Sequence, residues 1–139
     1  NNGKVLTAGA TAGSLSWATP SSGVLPYKVY VALITQSGTS APAVTVIQNT
    51  LSGTPVWSRF SAGIYRATLA GEFTSGKTVI FSTIGYYSTT SGTIQHTANG
   101  GFGADLIQII SMNRSFVETD SIMVNTSVEI RVYPAPAIP

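Results

Sequence analysis

Tyr27-Lys28-Val29-Tyr30-Val31-Ala32-Leu33-Ile34-Thr35 is the stretch on which the fold turns. β-branched and aromatic residues fill it, and strand alternation places Tyr27, Val29, Val31 and Leu33 on one face and Lys28, Tyr30, Ala32 and Ile34 on the other. Both faces are fairly apolar, which predicts a central strand. Its counterpart is Ser127-Val128-Glu129-Ile130-Arg131-Val132-Tyr133. Here Val128, Ile130 and Val132 face one side and Glu129, Arg131 and Tyr133 the other, the pattern of a half-buried strand. Glu129, alternating with Arg131 on the outward face, reads as a cross-strand charge partner.

Between these two strands, short β-type runs are punctuated by Gly, Pro and Asn. Strands are expected over residues 44–51, 55–60, 64–69, 77–84 and 105–112. Tyr65, Ala67 and Leu69 should point inward, and Trp57 is expected in the core with Arg59 on the opposite face. Proline lacks an amide donor, so residues 134–139 cannot continue a central strand. No segment sustains a helical period. The whole reads as an all-β, antiparallel β-sandwich of jelly-roll type.

Residues 1–26 differ, being rich in Gly, Ser, Thr and Ala with Lys4 as their single charge. They read as an extended connector, with Val5-Leu6 and Leu15 with Trp17 forming brief strands that need a partner to be buried. The organisation expected is a connector over 1–26, a sandwich head over 27–133 and a Pro-rich tail over 134–139. The chain starts Asn1-Asn2-Gly3, which suggests part of something longer.

Composition narrows the function. Only 9% of residues are charged, about a third of the usual ~25%, so hydroxyls and amides must supply the polar surface. Low charge protects poorly against self-association, which favours a subunit partly covered by its own copies. The basic residues are scattered singly, without the stripe that phosphate neutralisation requires. No nucleic-acid partner is therefore expected. No apolar run reaches the ~20 residues of a membrane-spanning helix, so membrane insertion is not expected either.

Catalysis lacks its raw material. There is no cysteine, and the single histidine is His96. No GxSxG elbow occurs, and a Ser-His-Asp site would have to recruit Asp105 or Asp120. Glu118 and Asp120 are close enough in sequence to share a calcium ion, but two acids define no site, and a solvated turn is the simpler reading. Asn113-Arg114-Ser115 and Asn125-Thr126-Ser127 match the glycosylation acceptor pattern, which chance readily supplies in so Ser/Thr/Asn-rich a chain. The expectation is no enzyme, no cofactor and no metal. Recognition is instead expected in the 19-residue interval GYYSTTSGTIQHTANGGFG, residues 85–103, because long loops in compact domains tend to be functional. Tyr86 and Tyr87 supply amphipathic contact area. Gln95, His96 and Asn99 complete the candidate ligand set.

Two stretches resemble known proteins. Gly3-Lys4-Val5-Leu6-Thr7, followed by Gly13-Ser14-Leu15-Ser16-Trp17-Ala18-Thr19-Pro20, is similar to a segment that precedes the C-terminal domain of phage tail-fibre and related surface proteins. The stretch from Tyr27 to Gly38, with Ala41-Pro42, residues 46–51, Trp57, residues 63–69 and Val128 to Tyr133, resembles an uncharacterised domain of structural proteins in phages and prophages of Bacteroidota and marine bacteria. The resemblance implies a homotrimeric virion-surface component, a tail or head fibre or a decoration, that contacts other virion proteins. Its exposed loops would meet a host-surface glycan or protein. The alternative is a carbohydrate-binding or adhesive module of a bacterial extracellular protein, and a third reading is a trimerisation cap without a ligand.

Overall fold

In a computed structural model, residues 4–9, 11–18, 25–83, 104–113 and 115–134 are described; they contain nine strands and no helix. β1 (Val5–Ala8) and β2 (Leu15–Ala18) pair only with each other. The other strands are β3 (Lys28–Thr35), β4 (Ala43–Asn49), β5 (Val56–Ser61), β6 (Ile64–Thr68), β7 (Thr78–Thr83), β8 (Leu106–Ile110) and β9 (Thr126–Val132). They form a four-stranded sheet in the order β4-β3-β9-β7 and a three-stranded sheet in the order β5-β6-β8. Every pairing is antiparallel. The expected all-β sandwich is the observed fold.

The alternation read from the sequence explains which faces meet. Tyr30, Ala32 and Ile34 of β3 and Val128, Ile130 and Val132 of β9 share the core with Trp57, Tyr65, Ala67, Ile107 and Ile109 of the smaller sheet. Phe73 and Met123 enter from the connections. Burying each of these larger apolar side chains contributes about 1.5–3 kcal/mol. β3 is central, lying between β4 and β9, as its two apolar faces predict. Two polar contacts cross the core: Trp57 Nε1 donates to the Tyr30 hydroxyl at 3.3 Å, and the Tyr65 hydroxyl meets Gln36 Oε1 at 2.9 Å.

Two expectations about charges are corrected. Arg59 lies on the same side of β5 as Trp57, because residues two apart in a strand share a face. It stands opposite Tyr65, just as Trp57 stands opposite Ala67. Glu129 bonds Arg131 along its own strand, at 2.5 Å. Its cross-strand neighbours are Val31 and Phe81, so the outer face runs in rows, Val31–Glu129–Phe81 and Val29–Arg131–Val79. The Arg131 guanidinium lies 4.7 Å from the Phe81 ring centre and 4.9 Å from that of Tyr27, which suits a weakly hydrated planar cation.

Gly63 locks the β5–β6 turn against the segment that follows β8. Its φ is +67°, and a Cβ there would lie 2.4 Å from the Thr119 nitrogen and 2.5 Å from the Ser111 carbonyl oxygen. Only glycine fits so close a backbone approach at positive φ.

Candidate functional site

Tyr86, Tyr87, Gln95, His96 and Asn99 lie outside the described residues. The carboxylates considered for chemistry are placed, and those of Asp120 and Asp105 are engaged in hydrogen bonds. Asp120 accepts from Arg59 Nε at 3.1 Å and Nη2 at 2.7 Å, from the Gly63 amide at 3.0 Å and from the Tyr65 hydroxyl at 2.8 Å. The Arg59 hydrogen bonds lower its pKa to about 2. Burial, helped by the bond to Asp120, pushes the Tyr65 phenol well up. A carboxylate so engaged has no lone pair aimed outward for a metal or a histidine. Asp120 is thus a structural knot rather than a solvated turn. The Glu118 backbone forms a β-bridge with Met112, and the Asp105 carboxylate accepts from the Gly71 amide at 2.7 Å. Among the described residues no group of three His, Cys, Asp or Glu side chains is placed to hold a metal.

The two acceptor-like asparagines serve turns. Asn113 Oδ1 accepts from the amides of Ser115 and Val117, an Asx-type arrangement that closes the loop after β8. Asn125 adopts φ +48° and exchanges hydrogen bonds with Thr35. Asparagine tolerates that left-handed conformation better than most residues.

Concavity appears elsewhere, at the end of the sandwich where β3 begins and β9 ends. A groove of about 810 Å³ opens there, a volume within the usual range for small-ligand sites. Tyr27 and Tyr133 belong to one wall, their ring centres 5.0 Å apart and tilted by 49°. Their meeting follows from the register: Lys28 pairs with Val132, so the residues one step beyond, Tyr27 and Tyr133, come side by side. Gln48 and Thr50, from the end of β4, also line the groove, as do Thr74 and Lys77, which precede β7.

The groove carries a carboxylate that composition alone did not single out. Glu72 is only 5% exposed. Its Oε1 accepts from Lys28 Nζ at 2.9 Å, and its Oε2 accepts from the amide and hydroxyl of Ser52. Burial acts to raise the Glu72 pKa, but the Ser52 and Lys28 hydrogen bonds outweigh it and the net shift is downward. Glu72 therefore stays ionised and neutralised. Lys28 is half exposed and spends one of its donors on Glu72. Lys77 makes no ion pair among the described residues. Among the described residues the groove thus holds one positive charge without an ion-pair partner, together with two phenolic rings and polar hydroxyl and amide groups.

Sequence reasoning missed this site because its members are far apart in the chain. The available signal was a tyrosine at the outer end of each of the two most strand-like stretches. No protein-family model, no curated protein and no solved structure matches the chain.

Proposed function

We propose that this chain is a non-catalytic surface domain of a bacteriophage virion, a fibre or decoration component that assembles as a homotrimer and contributes to host attachment. The observation that carries the assembly reading is the β1–β2 hairpin. Val5, Leu6, Leu15 and Trp17 are 44–67% exposed on it, and the hairpin pairs with no other described strand. A lone two-stranded ribbon is at best marginally stable in water, and an apolar one is a surface that another subunit would cover. The outer face of the four-stranded sheet adds Val79 and Phe81, 41% and 47% exposed. Closed three-fold symmetry would cover both surfaces. A non-catalytic role accords with the carboxylates of Asp120, Glu72, Glu129 and Asp105, which are spent on Arg59, Lys28, Arg131 and a backbone amide.

The test is the mass of the full chain in solution by sedimentation equilibrium. Three times the 14.4 kDa chain mass is expected for the native protein, and a lower mass for Trp17→Glu. A native protein at the mass of one chain overturns the assembly. The second reading, a carbohydrate-binding module acting as a monomer, draws on the Tyr27–Tyr133 groove and would show a single-chain mass together with saccharide binding.

A further inference from the structure

We infer that the groove between the start of β3 and the end of β9 binds a sugar ring carrying one negative charge. The inference rests on the attachment part of the proposed function and assigns recognition to residues other than 85–103. Three features of the groove converge on that ligand. Tyr27 and Tyr133 come side by side there, 5.0 Å apart at 49°. A tilted aromatic pair of this kind offers the flat C–H face of a pyranose an apolar contact while leaving phenolic hydroxyls at its edge. The Arg131 guanidinium lies 4.9 Å from the Tyr27 ring centre and also engages the Tyr133 hydroxyl, so the ring face of Tyr133, rather than its hydroxyl, carries the contact. Gln48 and Thr50 supply the mixed donors and acceptors that sugar hydroxyls need.

Charge then selects among sugars. Glu72 is saturated by Lys28 and Ser52, so it neither competes for ligand hydroxyls nor leaves a net negative charge in the groove. Lys77 lines the same groove without an ion-pair partner among the described residues. An ammonium lining such a groove prefers an anionic group to a neutral hydroxyl, since a charge-assisted hydrogen bond is about twice as strong as a neutral one. Two lysines are too few to grip a nucleic-acid backbone, which requires many phosphate contacts. A wholly apolar ligand would leave Lys77, Gln48 and Thr50 desolvated and unpaired. The anion is a sugar carboxylate or a sugar phosphate, which the groove's chemistry treats alike.

The experiment titrates the full chain, labelled with nitrogen-15, with methyl galacturonoside, galactose 6-phosphate and methyl galactoside, following amide and side-chain shifts. Saturable shifts at Gln48, Thr50 and Lys77 with either acid sugar are expected, and the acid that binds more tightly identifies the source of the charge. Lys77→Ala should weaken that binding by about five- to tenfold while leaving the spectrum of the fold intact, because the bond at this position is between the Tyr133 amide and the Lys77 backbone carbonyl. Tyr133→Ala should weaken neutral and acidic sugars alike. Equal affinity for methyl galactoside, shifts confined to residues outside the groove, no loss on Lys77→Ala, or no binding of any of the three overturns the inference. The outcomes separate from the assembly test: a monomer that binds sinks the trimer and leaves the groove, and a trimer that does not bind does the reverse.

Discussion

Replacing Asp120 by asparagine should destabilise the domain by about 2–3 kcal/mol at neutral pH, and the deficit should disappear in acid. The folded structure lowers the Asp120 pKa from 3.8 to about 2. At about 1.4 kcal/mol per unit, the ionised carboxylate contributes roughly 2 kcal/mol to stability. Asparagine retains one acceptor oxygen for the Gly63 amide or the Tyr65 hydroxyl, but its amide group would then face the Arg59 donors. Breaking a buried pair costs roughly 3–5 kcal/mol. The Arg59 and Asp120 side chains are 23% and 18% exposed, so the lower end applies. Because the folded pKa is depressed, the stabilisation is present above about pH 4 and is lost as pH falls through about 2. Urea unfolding of the native protein and Asp120→Asn at pH 7 and at steps down to pH 2 measures both. A difference below about 0.5 kcal/mol at pH 7, or one that persists undiminished at pH 2, would refute the assignment of Asp120 as an ionised knot.

Gly63→Ala should be worse tolerated, at roughly 3 kcal/mol or more, since strained positive φ and contact with two backbone segments act together; thermal unfolding with a cost under about 1 kcal/mol would contradict the close approach. Thr126→Val should be neutral or stabilise by about 1 kcal/mol, because the buried Thr126 hydroxyl has no hydrogen-bond partner among the described residues. A clear loss on denaturant unfolding would show that the hydroxyl is satisfied in solution.

Most of the scaffold was legible because the strand period is short and local. Tyr30, Ala32 and Ile34, Tyr65 and Ala67, and Val128, Ile130 and Val132 are all buried as their alternation predicts. Legibility failed where partners come from distant parts of the chain. Nothing local to Arg59 announces Asp120, 61 positions away, and the fixed parity of strand residues was the available clue that Arg59 shares the face of Trp57. Nothing local to Glu72 announces Lys28, 44 positions away. The groove is illegible for the same reason, since it exists because the first and last strands of the sandwich are hydrogen-bonded neighbours. Val29 shows the opposite effect: it alternates onto the outer face, yet it is 3% exposed, standing opposite Arg131, whose long stem can shield apolar surface.

The pairing of β3 with β9 also fixes how the sandwich would respond to load. Lys28 and Val132 are direct partners at one end of an antiparallel ladder, so tension applied through these two residues would part the strands one hydrogen bond at a time, like a zipper, instead of shearing the whole ladder together. A domain loaded that way is compliant. In the assembly proposed above, strength under drag would then have to come from lateral contacts between copies rather than from this ladder.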